Sequence, residues 1–438
     1  MSDDLYDENF VAWFRAVTPY INAFRGKTFV VAFGGKAIEE GHTKTLAYDV
    51  NLLAALGIRL VLVHGARPQI EEELEEKGLP SLYHRGYRIT DAATLDCVLD
   101  AVGSVYLEVE ALLSQGLPNT PMANSQIRVI GGNFVTAHPI GVLDGIDLQY
   151  AGKVRKVDSE GLKAQLGIGN IVLLSCQGAS PTGEIFNLQM EEVAEAVAVA
   201  LKADKLLFLA DARGICNAAG EFQDALTADA AAEFLKDEAL SPDLKRYLPC
   251  AVRASRQGVG RVHLIAYERD GALLQEIFTH EGVGTVVTRE PLENIREARP
   301  DDIGNLIALI EPMEDEGILV HRPRELLERE IDRFSVMEHD GIIVGCAALY
   351  LHGDDVGELA CLAVHPDHRE WGYGELLMQR VEMRARKAGI RRLFVLTTRT
   401  EHWFVERGFR VAKVDELPEQ KRRMYNYQRR SKVLFKPL

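Results

Sequence analysis

The chain lacks most of what would mark a metalloprotein, a secreted protein or a nucleic-acid binder. Its six cysteines, Cys97, Cys176, Cys216, Cys250, Cys346 and Cys361, show no C-x-x-C spacing, and its twelve histidines form no H-E-x-x-H pattern. No metal is therefore expected, and scattered thiols fit a reducing cytoplasm better than a disulfide framework. No apolar run approaches the roughly 20 residues that cross a bilayer. The N-terminus, MSDDLYDENF, is acidic and has no basic-then-apolar plan, so neither a membrane nor secretion is expected. A net charge of −15 leaves no general basic surface for nucleic acid. Repeats and low-complexity tracts are also absent. What remains is 438 residues, 47% hydrophobic and 26% charged, enough for two or three well-packed domains.

The most informative stretch runs from Glu358 to Gly374, ELACLAVHPDHREWGYG. Apolar residues from Leu359 to Val364 predict a buried strand, which Pro366 and Asp367 end. Arg369-x-x-Gly372-x-Gly374, with Trp371 and Tyr373 between, then opens a helix carrying Leu376, Leu377, Val381 and Met383. A glycine-rich turn at a helix start presents unpaired N–H groups and the positive end of the dipole, which suits a pyrophosphate. A Rossmann fingerprint would need a third glycine directly after a strand, and neither is present. The stretch resembles the acetyl-coenzyme A motif of the GNAT acetyltransferases. The resemblance implies acetyl-coenzyme A as co-substrate, cradled by Arg369, Trp371, Gly372, Tyr373 and Gly374.

A second pattern divides the chain near residues 287–298. Before it, apolar runs at Thr28–Phe33, Leu60–His64, Ile171–Ser175 and Lys205–Leu209 alternate with helical stretches, which indicates a parallel sheet wrapped by helices. After it, strands at Ser335–Glu338, Ile342–Tyr350, Glu358–Val364 and Arg392–Leu396 surround a helix at Glu375–Ala388, which is α+β in character. Asp301 or Asp302 is placed to cap a helix over Leu306, Ile307 and Ile310. Residues 1–26 read as a helical arm whose Val11, Phe14, Val17, Ile21 and Phe24 share one face. The expected order is thus an arm (1–26), an α/β domain (27–288), a linker (289–295) and a smaller α+β domain (296–438).

Several strand ends in the α/β domain carry glycine: Phe33-Gly34-Gly35-Lys36 and Val63-His64-Gly65-Ala66. With Gly86-Tyr87-Arg88, Phe186-Asn187-Leu188-Gln189 and Leu209-Ala210-Asp211, these make the segment from Lys27 to about Thr288 similar to the amino-acid kinase fold, a parallel-sheet sandwich, and most closely to N-acetylglutamate kinases. In those kinases glycine loops hold phosphates, and an arginine matching Arg88 binds the acylated glutamate. Here Ala66-Arg67 interrupts the second glycine loop, Asn187-Leu188-Gln189-Met190-Glu191 replaces Asn-x-Asn-x-Asp, and Leu248 to Arg253 lacks the late glycines and lysine. Phosphoryl transfer rests on positioned charge, so a sensor is expected in place of a kinase. The arginine-inhibited members of that family imply the ligand. Tyr20 in the arm, with Lys205, His263, Glu276 and Gly282, matches their L-arginine site. Taken singly, Lys205 and His263 read as a solvated lysine and a satisfied core histidine.

Thioester aminolysis needs a neutral amine, and Glu358 at the head of the cofactor strand is placed to take the proton directly or through one water. Strand atoms of Cys361, Leu362 and Val364 would hold the pantetheine and polarise the thioester. Phe404 stands where GNAT enzymes often have a tyrosine acid, which leaves Thr397 to position a water or the thiol. An amino-acid-kinase-like domain joined to a GNAT domain resembles the N-acetylglutamate synthase family of bacterial arginine biosynthesis. That resemblance implies L-glutamate as acceptor, bound by Arg322, Cys361, Arg429 and Ser431, feedback by L-arginine, and a homo-oligomer, a hexamer in the family. Arginine suits two carboxylates, although Arg322 also reads as a surface ion pair. Two rival readings stand: a protein-lysine acetyltransferase, which would favour an acidic groove, and a non-catalytic arginine-binding regulator, which need not keep Glu358 in register with Gly372.

Overall fold

Uninterrupted apolar runs become the inner strands of two separate sheets. The computed structural model describes residues 8–438 other than 117, 218, 280, 281, 290–292, 340, 341 and 354, with the backbone alone at 8–10, 12, 16, 293, 370 and 371. The chain forms two units, Met1–Pro291 and Leu292–Leu438.

In the first unit, eight strands make the main sheet: β1 (Thr28–Phe33), β2 (Arg59–His64), β3 (Val129–Ile130), β4 (Ile171–Leu174), β5 (Lys205–Ala210), β6 (Ala225–Thr227), β7 (Arg261–Ala266) and β8 (Thr285–Thr288). Their order is β6-β8-β7-β5-β1-β2-β4-β3. Every pair is parallel except β7 with β8. The inner strands are buried along almost their whole length because helices cover both faces, so their sequences are continuous apolar runs, not alternating ones. Parallel strands end together, and this brings Gly34, Gly65 and Asp211 to one edge. The arm helix α1 (Glu8–Phe24) packs its C-terminal half on this unit. Val17 and Phe24 are buried, and Phe24 meets Phe29 at 5.6 Å and Phe278, on α2 (Ala272–Phe278), at 6.4 Å between ring centres. Val11 and Phe14 are exposed, so the expected continuous apolar face is covered only in part.

The second unit is a seven-stranded sheet of β9 (Glu293–Glu297), β10 (Phe334–His339), β11 (Ile342–His352), β12 (Val356–Val364), β13 (Arg392–Thr397), β14 (Arg410–Ala412) and β15 (Lys432–Pro437), ordered β9-β10-β11-β12-β13-β15-β14. The segment expected as a linker is therefore shorter, because Glu293–Ile295 already pair with Met337–His339. Arg296 locks this start by bonding to Asp302 and Glu338, each at 2.7 Å. Asp302 also accepts from the Arg299 amide at 2.7 Å, so it closes a turn before α3 (Ile303–Asp315) and does not cap the helix.

All pairs in this sheet are antiparallel except β12 with β13. A parallel pair needs a crossover, which α4 (Tyr373–Lys387) supplies. The β12–β13 ladder covers only Val356–Glu358 against Arg392–Phe394. Beyond it the two strands run on without each other. On its other side β12 carries a bulge: Cys346 pairs with Ala363 and Ala348 with Ala360, which sets Cys361 and Leu362 against the single residue Ala347. Cys361 takes the left-handed region, at φ 50°. Leu377, fully buried on α4, lies where a β-carbon on Gly345 would come within 2.9 Å of it. Leu377→Ala is expected to destabilise this unit by about 2–5 kcal/mol, read as a lower denaturant midpoint.

Candidate active site

Where β12 and β13 part, the β12 edge that faced β13 has no ladder partner, and a cleft of about 1110 Å³ opens beside it. The glycine-rich turn forms part of its lining. Gly372 adopts φ 76°, a conformation that a side chain would strain, and is the N-cap residue of α4. Gly374 is also close-set, since a β-carbon there would stand 3.3 Å from the Trp403 ring. Arg407 covers that ring at 4.0 Å. Arg369 is exposed and lines the cleft, as do Leu362 and Val364. Tyr373 corrects the expectation: its side chain is fully buried and its hydroxyl meets His339 Nδ1 at 3.1 Å, leaving only its backbone for the turn. The Trp371 side chain lies outside the described residues.

Glu358 sits at the apex of the fork, buried and held at both oxygens. Lys421 Nζ, from the short helix α5 (Glu419–Arg423), lies 2.7 Å from Oε1, and His352 Nε2 lies 3.1 Å from Oε2. Burial opposes ionisation, but the His352 hydrogen bond and the Lys421 charge outweigh it and hold Glu358 below the usual carboxylate pKa. Nothing in the basic run around Lys421 distinguishes it in the sequence. His352 pairs with Val356 at the end of the β11–β12 ladder, which sets it beside Glu358.

Arg322 and Arg429 line the same cleft, which also takes in Cys361, Thr397 and Ser431. Their holders are main-chain oxygens: Arg322 Nη1 donates to Val320 O at 2.9 Å, and Arg429 Nη2 to Ile318 O at 2.5 Å. Among the described residues neither guanidinium has a carboxylate partner, so Arg322 is not the surface ion pair considered above. Burial, and then the charge of Arg322, push the pKa of Arg429 down, whereas Cys361 and Tyr350 hold that of Arg322 up against its own burial. Glu314, a third residue missed in the sequence, fixes this region by accepting from the Arg322 amide at 3.0 Å and bonding His321 at 2.8 Å. Thr397 Oγ1 accepts from the Thr400 amide at 3.1 Å and bonds its hydroxyl at 2.8 Å. Cys346 donates to the Cys361 carbonyl at 3.4 Å. The hydrogen bond from Cys346 and the charge of Arg322 hold the Cys361 thiol below its ordinary pKa despite burial. Phe404 is buried between Trp403 and Phe409, an ordinary core aromatic.

In the first unit, the strand-end glycines border a cavity of about 270 Å³. Gln69 donates to Gly35 O at 2.9 Å, and a β-carbon on Gly35 would stand 2.9 Å from the Ala66 Cα, so Gly35 admits no side chain. Arg88 bonds Glu71 at 2.8 Å and Ser81 at 2.7 Å. Elsewhere Lys205, His263, Glu276 and Gly282 come together. Glu276 accepts from the Val283 and Gly284 amides at 2.6 and 2.8 Å and meets His263 Nδ1 at 2.6 Å. Lys205 Nζ lies 3.3 Å from His263 Nε2 and 4.9 Å from the centre of the Phe24 ring on the arm. Gly282, at φ 59°, has no room for a β-carbon, which would stand 2.7 Å from Glu276 Oε2. Tyr20 joins through its own ring, 6.2 Å from that of Phe24. His280 and Glu281, the two residues before Gly282, lie outside the described residues.

The amino acid kinase family model matches residues 27–266, and the acetyltransferase (GNAT) family model matches residues 303–409. The amino-acid acetyltransferase of Ralstonia nicotianae is 52% identical over 98% of this chain and 96% of its own length. The chain belongs to the amino-acid acetyltransferase family. A second member, from Azotobacter vinelandii, is 51% identical over 98% of this chain and all of its own length. The solved N-acetylglutamate synthase of Neisseria gonorrhoeae, complexed with coenzyme A and L-arginine, is 43% identical, with a TM-score of 0.85 over 98% of this chain and 99% of that one. Its complex with coenzyme A and N-acetyl-glutamate gives a TM-score of 0.62 over the same spans. As an amino-acid acetyltransferase, the enzyme takes acetyl-coenzyme A as its co-substrate.

The Lys205–His263–Glu276 chain makes acid stability a measurable property of this family member. Burial and Lys205 push the His263 pKa from 6.5 to about 4, so the ring stays neutral, donating through Nδ1 and accepting at Nε2. The unfolded chain takes up that proton near 6.5, and the folded chain refuses it until about 4. The stability that His263 contributes is therefore full above pH 6.5 and is lost as the pH drops through this window. Unfolding free energies measured across the window are expected to lose on the order of 3 kcal/mol from this group, and His263→Gln should flatten the slope by about one proton.

Proposed function

We propose that the enzyme transfers the acetyl group of acetyl-coenzyme A to the α-amine of L-glutamate, by direct attack in a ternary complex with Glu358 as general base. The observation that carries this reading is the pair Arg322 and Arg429, two guanidiniums without acidic partners among the described residues, in one cleft with an ionised Glu358. A dicarboxylate supplies the two missing charges, and planar bidentate pairing suits them. A lysine tail would meet cations there, which disfavours the protein-acetyltransferase reading. Ser431 and Cys361 complete the acceptor pocket, while the β12 edge, Arg369 and the glycine turn hold the coenzyme. Thr397 positions a water or the thiol.

L-Arginine is the proposed feedback inhibitor, bound by Lys205, His263, Glu276 and Gly282 with Tyr20 on the arm. Glu276 is already satisfied by His263 and two amides, so a guanidinium must displace a partner to reach it. Such an exchange ties binding to a local rearrangement. We also propose that the exposed Trp13 and Phe14 of α1 meet a second copy, giving the ring assembly typical of the family. The lost kinase motifs support a sensor without phosphoryl transfer, in a cytoplasmic enzyme.

The direct test is release of free coenzyme A from acetyl-coenzyme A with and without L-glutamate, repeated with L-arginine. Release is expected only with glutamate and is expected to fall with arginine. Glu358→Gln should lower kcat at least about 100-fold with little change in coenzyme affinity. Arg322→Ala and Arg429→Ala should each raise the glutamate KM by more than about tenfold with coenzyme binding intact. Weakened coenzyme binding would reassign these arginines.

A further inference from the structure

Glu358 presents a difficulty for its proposed role. It is almost wholly buried, and a carboxyl so placed would ordinarily be neutral and unable to accept a proton. The groups facing it decide the matter. From β11 come His352, at 3.1 Å, and Tyr350, opposite Glu358 in the ladder, whose hydroxyl is turned to Glu330 at 2.9 Å. From β13 comes Phe394, which carries no charge. From α5 comes Lys421, at 2.7 Å. Lys421 is thus the one permanent positive charge in contact with the carboxylate among the described residues. It also borders the acceptor cleft, on the segment that leads to Arg429 and Ser431.

We propose that Lys421 is a positioning residue for acetyl transfer, the counter-ion that keeps Glu358 ionised and fixed at the apex of the fork. The proposal rests on Glu358 being the base. It assigns the neighbouring lysine a second electrostatic effect. When an acceptor's α-ammonium approaches, two cations face one carboxylate, and their mutual repulsion favours loss of the acceptor's proton over loss of the ion pair. The proton passes from the amine to Glu358, directly or through one water. The amine lone pair then attacks the thioester, the coenzyme A thiolate leaves with the electrons of the broken C–S bond, and the second proton of the attacking nitrogen passes through water to that thiolate.

The test uses full-length enzyme carrying Lys421→Met, Lys421→Arg or Glu358→Gln. Lys421→Met is expected to lower kcat and to move the acid limb of its pH profile upward by about one unit or more, with the acetyl-coenzyme A KM unchanged. Lys421→Arg restores the charge and should return the limb. Infrared titration of the carboxyl band that disappears in Glu358→Gln reads the same shift without turnover, so an inactive but folded Lys421→Met protein remains informative. A limb and a carboxyl band at their wild-type positions in Lys421→Met overturn the proposal and leave the base assignment standing. Wild-type kcat in Glu358→Gln overturns the base assignment itself.

Discussion

The parting of two parallel strands after Glu358 and Phe394 is the constraint on which the acetyltransferase unit depends. Parallel strands in a sheet normally stay paired, because buried backbone N–H and C=O groups left alone cost about as much as lost hydrogen bonds. Here the β12 edge is left open toward a cleft, and an extended amide-containing chain such as pantetheine can supply what β13 does not. The fork also explains the crossover helix. α4 bridges the two strands, and its N-terminus begins where the ligand's phosphates would follow the pantetheine. One topological choice therefore sets the open strand edge, Glu358 and the glycine turn along one cleft.

Charge is balanced differently in the two units. In the cleft the buried acid has cationic partners and the half-buried arginines have no acidic ones among the described residues: Glu358 has Lys421 and His352, while Arg322 and Arg429 lean on carbonyls. That is a site with two negative charges missing. The Lys205–His263–Glu276 chain is closed on itself, with each polar group answered by protein. A ligand completes the first arrangement and must compete with the second. Only a competing ligand has a built-in reason to move backbone, since Glu276 holds the amides of Val283 and Gly284.

The strands were legible because fully buried parallel strands are written as unbroken apolar runs, and Thr28–Phe33 needed no correction. The glycine turn that opens α4 was legible because glycine spacing is a backbone requirement. Arg322 and Arg429 were nominated through resemblance to the synthase family, and composition alone left Arg322 open to a bland reading. Lys421 was invisible: a lysine among other cations in PEQKRR looks solvated, and only the fold brings it to Glu358. Tyr373 misled for the opposite reason, since its place in the motif says nothing about which way a ring points at a helix start. The linker was drawn too long because the short edge strand Glu293–Glu297 has only Ile295 as an apolar anchor.

The bulge at Cys361 means that β12 is out of phase with itself. Before it, Leu359 packs in the core beneath α4, and after it that duty passes to Leu362 and Val364, while Cys361 and Ala363 turn to the core that includes Tyr350. An unbroken strand would have kept Cys361 on the side of Leu359, away from the face that Glu358 shares with Tyr350. The extra residue thus acts as a change of parity halfway along a single strand. An insertion or deletion of one residue between Glu358 and Val364 would reverse one half of the strand against the other.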